Sequence, residues 1–141
     1  MRVLLDTNVI VSAVTTRGLC ADVFRAVLSD HQLVTCPQVL QEVRRILHTK
    51  FSVPDSLVSE YLELIHKDAI LAEGKETPDV RLEDLADLEI LASAISGKAD
   101  VLVTGDRELQ GIRRIRKLRI VSPRAFWEEL MASQGTAPGG R

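Results

Sequence analysis

Short apolar runs alternate along the chain with longer segments in which apolar residues recur every three or four positions. Runs of three or four apolar residues are typical of buried strands, and the longer period is typical of amphipathic helices. Strand-like runs occupy residues 3–5, 33–36, 69–72, 101–103 and 119–121, and helical stripes occupy 9–14, 21–28, 39–47, 57–65, 85–95 and 126–130. The alternation predicts an α/β fold with a central, mainly parallel sheet of four to five strands flanked by helices.

Length and composition predict a single domain over residues 1–132, followed by a flexible Gly/Pro-rich tail at 133–141. The net charge of −2 excludes binding of nucleic acid through bulk positive charge, but leaves room for a local basic patch. No apolar run reaches the roughly 18 residues of a membrane helix, and the N-terminus does not resemble a signal peptide. The two cysteines have no metal or redox spacing, so we expect buried thiols in a cytoplasmic protein.

Two aspartates directly follow predicted strands. Asp6 comes after the run 3–5, and Asp106 follows the run 101–103 by three residues. Parallel sheets bind ligands outside the carboxyl ends of their strands, which favours a functional role for both. Each aspartate equally fits the N-cap of a following helix, so both interpretations stay open. Asp100 precedes its strand, lies at the opposite edge, and is predicted to be structural.

Two further acids lie on predicted helices. Asp87 falls inside the apolar arc of its helix, where a carboxylate requires a cation, a metal or hydrogen bonds. Its alternative role is to complement the helix dipole in the first turn, with Asp84 as N-cap; Asp84 is also a candidate to share the role of Asp87. Glu42 lies beside an apolar stripe, and its alternative role is a solvated pair with Arg44 or Arg45.

If these four acids converge, they form a cluster of negative charge that a cation must stabilise. Oxygen ligands without a nearby His or Cys favour Mg²⁺ or Mn²⁺ over zinc. Such ions activate water and neutralise the charge of a phosphodiester transition state. A phosphotransfer enzyme with a nucleophilic Asp6 is a rival, but its motif requires a second acid where this chain has Asn8.

The residues around these acids resemble the motifs of the PIN-domain family of metal-dependent nucleases. The segment 3–8 is similar to the opening strand and first acid of that family, and 37–43, 87–94 and 99–106 are similar to its three later acid motifs. The segment 120–126 resembles the closing strand and helix of a bacterial and archaeal subgroup described as toxins of type II toxin–antitoxin systems. The resemblance covers nearly the whole chain, and the four motifs in this order make it specific.

The resemblance implies a three-layer sandwich and a Mg²⁺- or Mn²⁺-dependent endoribonuclease that hydrolyses RNA through metal-activated water. It also implies a small antitoxin partner and a homodimer; Leu57 and Tyr61 are candidate partner contacts, although packing in the core explains them equally well. The alternative is a non-catalytic module that binds RNA or a partner, since fold alone does not establish activity. The implied catalytic and metal-binding residues are Asp6, Glu42, Asp87 and Asp106, with Asn8 and Thr104 as polar supports.

A basic stretch adds a candidate RNA-binding surface. Seven of the 18 basic residues lie between positions 107 and 124. Such a patch binds phosphates, although a solvated loop explains it equally well. The candidate RNA-binding residues are Arg107, Arg113, Arg114, Arg116 and Lys117.

Overall fold

The structure, a computed structural model, describes residues 1–135 as one α/β unit. The strands are β1 (Arg2–Leu5), β2 (Gln32–Thr35), β3 (Ile70–Leu71), β4 (Val101–Val103), β5 (Arg114–Ile115) and β6 (Leu118–Val121). The helices are α1 (Thr7–Thr15), α2 (Leu19–Asp30), α3 (Pro37–Phe51), α4 (Asp55–Asp68), α5 (Leu85–Ser96), α6 (Arg107–Ile112) and α7 (Pro123–Gly135).

The strands form a six-stranded sheet in the order β3-β2-β1-β4-β6-β5. All neighbours are parallel except β5 and β6, which pair as an antiparallel hairpin. The predicted mainly parallel sheet is therefore confirmed, and each of the five predicted strands is present. The sixth strand, β5, has only two residues and no apolar run, so the hydrophobic pattern gave no indication of it.

The order of the strands places a topological switch point between the carboxyl ends of β1 and β4, and we call the region around these strand ends the crevice. After β1 the chain crosses to β2 on one side, whereas after β4 it crosses to β6 on the other side. Parallel sheets bind ligands at this kind of switch point, because the two connections diverge and leave an opening.

The core lies on both faces of the sheet. Residues 3–5 of β1 and 101–103 of β4 are fully buried, so helices cover the two faces and the predicted three layers are confirmed. Phe126 of α7 is fully buried, and α7 packs against α2 to close one layer. Because β1 and β4 are buried in the middle of this core, the residues that follow their carboxyl ends are held in defined positions.

The C-terminal helix changes one predicted boundary. The flexible tail was expected from residue 133, but α7 continues through Gly135; residues 136–141 lie outside the described residues. Cys36 is buried as expected, whereas Cys20 is partly exposed. No helix between residues 1 and 135 is long and apolar enough to span a membrane.

Candidate active site

Asp6 lies at the centre of the crevice, directly after β1, and only 6% of its surface is exposed. Its carboxylate accepts a hydrogen bond from the backbone N–H of Thr7 (2.8 Å) and one from the hydroxyl of Thr104 (2.6 Å). Burial raises the pKa of the Asp6 carboxyl, these hydrogen bonds lower it, and the charges of Asp106 and Glu42 raise it further. The Asp6 side chain is thus held firmly in a place where its negative charge is unfavourable.

Thr104 and Asp106 form the other side of the crevice, in the turn after β4. Besides donating to Asp6, the Thr104 hydroxyl accepts a hydrogen bond from the backbone N–H of Asp106 (3.0 Å). Asp106 is the N-cap of α6, because one carboxylate oxygen accepts from the N–H of Leu109 (3.0 Å). One hydroxyl therefore links the two strand-end aspartates.

Asp87 lies in the first turn of α5, near enough to Asp6 and Asp106 for their charges to act on it. Burial raises its pKa to about 6, and the charges of Asp106, Asp84 and Asp6 contribute to this increase. Asp84 is the N-cap of α5, and its carboxylate accepts from the N–H of Ala86 (2.8 Å). The helix-capping role predicted for Asp84 is therefore present. The charges of the neighbouring acids act on Asp87 and raise its pKa.

Glu42 lies on α3, at the margin of the four candidate acids. Its charge adds to the rise in the pKa of Asp6, yet 33% of its side chain is exposed. It also forms an exposed ion pair with Arg45 (3.2 Å), the surface pairing that the sequence offered as an alternative. Glu42 therefore has both a solvent-facing partner and an electrostatic link to the crevice.

The four acids share a region without forming one coordination shell. The charges of Asp106 and Asp6 act on Asp87, and those of Asp106 and Glu42 act on Asp6. Nevertheless, in the described residues no group of three His, Cys, Asp or Glu side chains is close enough together to hold a metal ion.

The chemistry of these side chains fits a hard divalent cation. Asp6 is a buried carboxylate on which the charges of two other carboxylates act, and no ion pair joins Asp6, Asp87 or Asp106 to a basic side chain in the described part of the chain. A buried charge ordinarily has a partner, and oxygen donors favour Mg²⁺ or Mn²⁺. The crevice is therefore a candidate site for one of these ions.

The predicted polar supports differ in their contacts. Thr104 contacts both strand-end aspartates, as described above, whereas the exposed Asn8 has no side-chain hydrogen bond to any residue in 1–135. The sequence did not single out Thr7 and Thr35, whose buried hydroxyls lack a partner among the described residues. Both lie at the carboxyl edge of the sheet, because Thr35 ends β2 and Thr7 follows shortly after β1. This position next to a strand end is the feature of the sequence that could have identified them as candidate site residues.

Gln110 is a further residue that the sequence did not single out. Its side-chain amide donates to the backbone carbonyl of Thr104 (2.7 Å), which ties α6 to the turn that carries Thr104 and Asp106. Asp100, in contrast, lies at the amino edge, where its carboxylate accepts from the backbone N–H of Arg2 (2.8 Å). This contact agrees with the structural role predicted for Asp100.

The five candidate RNA-binding residues do not form one patch beside the acids. Arg107 directly follows Asp106 at the carboxyl edge, but Arg116 and Lys117 form the turn between β5 and β6. That turn lies at the amino edge, since Ile115 pairs with Leu118 at the start of β6. The basic stretch therefore runs from one edge of the sheet to the other.

Solved structures with this fold come from VapBC complexes. One is VapBC2 from Rickettsia felis bound to a DNA fragment from their promoter, with a TM-score of 0.61, 17% identity, and coverage of 86% of this chain and 98% of that chain. Another is VapBC-1 from nontypeable Haemophilus influenzae, with a TM-score of 0.60, 20% identity, and coverage of 88% of this chain and 99% of that chain. No curated protein sequence gives a significant match.

The sequence itself matches a family model described as PIN domain over residues 2–108. This range includes β1 to β4 and every acid of the crevice, and it ends just after Asp106. The match covers well over half of the chain and agrees with the sheet order and the acidic crevice. The chain belongs to the PIN-domain family.

Proposed function

We propose that this protein is a metal-dependent endoribonuclease and the toxin component of a toxin–antitoxin pair. The observation that carries the proposal is the Asp6 carboxylate, which is buried at the switch point, close to other carboxylates and without a basic partner in the described residues. Fold alone would not support an activity, but this charge arrangement in a PIN domain does.

Asp6, Asp87 and Asp106 would hold Mg²⁺ or Mn²⁺, with Glu42 as a direct or water-mediated fourth ligand. When bound, the ion supplies charge neutralisation at the scissile phosphate and acidifies a water molecule. The protein contributes position: Thr104 fixes the orientation of Asp6, and Asp106 is fixed as the cap of α6. The products expected from attack by water are a 5′-phosphate and a 3′-hydroxyl.

Asp84 is assigned a positioning role rather than a place among the ligands. Its carboxylate is engaged with the N–H of Ala86, and its charge raises the pKa of Asp87. It therefore fixes the first turn of α5 and favours a cation beside Asp87.

The proposed partners are RNA, a small antitoxin and a second copy of the chain. Support for the antitoxin is the likeness to proteins solved as VapBC complexes. On α4, Leu57 and Leu64 are 40% and 56% exposed and offer apolar contacts, while the candidate Tyr61 is partly buried. A cytoplasmic location, where RNA substrates occur, is part of the same proposal.

Incubation of the purified protein with total RNA, in Mn²⁺ or in EDTA, tests the reaction. We expect fragments with 5′-phosphates in Mn²⁺, none in EDTA, and loss of cleavage in Asp6→Asn and Asp106→Asn. Asp100→Asn is the matched control, because it removes a carboxylate charge at the opposite edge and keeps an acceptor for Arg2. Full metal-dependent cleavage by Asp6→Asn would refute the assignment.

The alternative is an RNA- or partner-binding module without catalysis. The separation of the acids in the described residues is the observation that favours it. RNA binding without cleavage, together with thermal stability that Mn²⁺ leaves unchanged, would select this alternative.

A further inference from the structure

The basic residues follow one side of the molecule from the acidic crevice to the far edge of the sheet. Helix α6 begins at Arg107, beside Asp106, and ends at the level of the middle of β6, where the N–H of Ile120 donates to the carbonyl of Arg113 (2.8 Å). We call the five residues Arg107, Arg113, Arg114, Arg116 and Lys117 the basic track.

The register of the strands gives the length of the basic track along the strand direction. Arg114 pairs with Arg119, and Arg119 pairs with Val101, the first residue of β4. The turn Arg116–Lys117 lies about two residues beyond this level, and therefore about four residues below Val103, the carboxyl end of β4, along the strand direction. At about 3.3 Å per residue this separation is roughly 13 Å.

Most of the cationic groups of the basic track form no ion pair with residues 1–135. All five side chains are exposed, and the only ion pair they make among residues 1–135 joins Arg116 to Glu76 (3.5 Å). The neighbouring Arg119 differs, because both of its terminal nitrogens bind Glu129 (2.9 and 2.7 Å). The β5–β6 hairpin thus contains one arginine in a two-nitrogen ion pair, Arg119, whereas Arg114 and Lys117 make no ion pair among residues 1–135.

The track ends in a cleft at the amino edge that is both cationic and apolar. Lys98, Arg116 and Lys117 line it, and Ile95, Ala99, Ile115 and Leu118 form apolar parts of its wall. Asp100 also lines the cleft, but its carboxylate is engaged with the backbone of Arg2. Cations above an apolar surface suit a nucleotide, which combines a phosphate with the flat face of a base.

From this geometry we infer that the protein binds RNA along the basic track and selects strands long enough to reach the cleft at the amino edge. The inference rests on the proposed function, which places the scissile phosphate at the acids. At a rise of about 3.4 Å per stacked nucleotide, roughly 13 Å corresponds to about four steps, and therefore to about five nucleotides. Shorter RNA reaches the crevice and Arg107 but not Arg116 or Lys117.

Binding of RNA pools of two lengths tests the inference without requiring cleavage. Fluorescein-labelled random-sequence RNAs of 4 and 20 nucleotides are titrated by anisotropy against Asp6→Asn protein, which keeps the substrate intact. In this background, Arg116→Gln with Lys117→Gln removes the two charges at the far end. Lys50→Gln with Lys67→Gln removes the same charge from exposed ends of α3 and α4 and is the matched control.

We expect the far-end double variant to lose about tenfold in affinity for the 20-nucleotide pool and less than twofold for the 4-nucleotide pool. The control should change both affinities less than twofold. Loss of two phosphate contacts should also reduce the slope of log Kd against log salt by about 1.4 for the longer pool only. Circular dichroism melting verifies that each variant is folded.

Equal losses on both pools, no loss on the longer pool, no binding of either pool, or an equal loss in the control would each overturn the inference. Failure of the nuclease proposal is distinguishable, because it would appear as absence of Asp6-dependent cleavage while length-dependent binding persists. If the double variant weakens only antitoxin binding, the hairpin is a protein interface and the RNA inference is wrong.

Discussion

Replacement of Asp87 by Asn should stabilise the protein in the absence of divalent metal. Its pKa of about 6 lies about two units above that of a free aspartate, which corresponds to about 3 kcal/mol of unfavourable free energy for the charged form at pH 7. Asp87 is partly exposed, so solvent screening reduces this to about 1.5 kcal/mol. The neutral amide gives up about 0.5 kcal/mol of helix-dipole stabilisation, leaving a gain of about 1 kcal/mol.

The pH dependence of this gain has a definite sign. Between pH 4 and pH 6 the folded wild type binds more protons at Asp87 than the unfolded chain, because its pKa is raised on folding. The wild type therefore loses stability as the pH rises through this window, whereas Asp87→Asn does not. The gain of the variant should vanish below about pH 4 and be constant above about pH 7.

Metal should invert the order of stability. An ion at one hundred times its Kd stabilises the folded wild type by about 2.7 kcal/mol, and removal of a ligand diminishes that effect. Urea denaturation at pH 5, 6 and 7, in EDTA or in Mn²⁺, measures both effects, with Asp79→Asn in the exposed loop before α5 as control. A variant that is less stable than wild type in EDTA at pH 7, or an order that Mn²⁺ leaves unchanged, would refute the reasoning.

Three further changes test the support of the crevice and of the hairpin. Thr104→Val should cost about 2–4 kcal/mol in urea denaturation, since it leaves a buried carboxylate oxygen and an N–H unpaired, and Thr104→Ser should restore most of it. Arg113→Gly should raise the melting temperature by about 4 °C, because Arg113 has φ 64°, whereas Arg114→Gly, in a strand, should lower it. A double-mutant cycle of Arg119→Met and Glu129→Gln should give a coupling below about 1 kcal/mol that decreases in 1 M salt, because the pair is partly exposed; a salt-independent coupling would contradict this.

The hydrophobic pattern was sufficient to predict the strands that build the crevice. The runs 3–5 and 101–103 became β1 and β4, and their parallel pairing brings Asp6 close to the turn that holds Asp106. The same rule separated Asp100, which precedes its strand and contacts the backbone of Arg2 at the opposite edge. A short apolar run, combined with the direction of the chain, therefore predicts which edge of the sheet an acid next to a strand occupies.

The segment between Asp106 and β6 was not predictable in the same way. Helix α6 has six residues and β5 has two, which is too short for a hydrophobic period to be recognised. Because the sequence does not reveal the hairpin, five basic residues that are near one another in sequence predict a single surface. Their separation across the sheet depends on the register of β5 with β6, a tertiary pairing that the local sequence does not encode.

The sequence is compatible with both a capping and a functional role for these acids, and the structure shows the capping role for three of them. Asp6 caps α1, Asp84 caps α5 and Asp106 caps α6, so the N-termini of these helices begin at acidic residues around the crevice. Backbone N–H groups and the positive ends of the helix dipoles stabilise negative charge, which offsets part of the repulsion among the carboxylates. Capping therefore lets the fold keep several anionic side chains in one region without basic partners among the described residues, and a capping pattern alone does not distinguish a structural aspartate from a functional one.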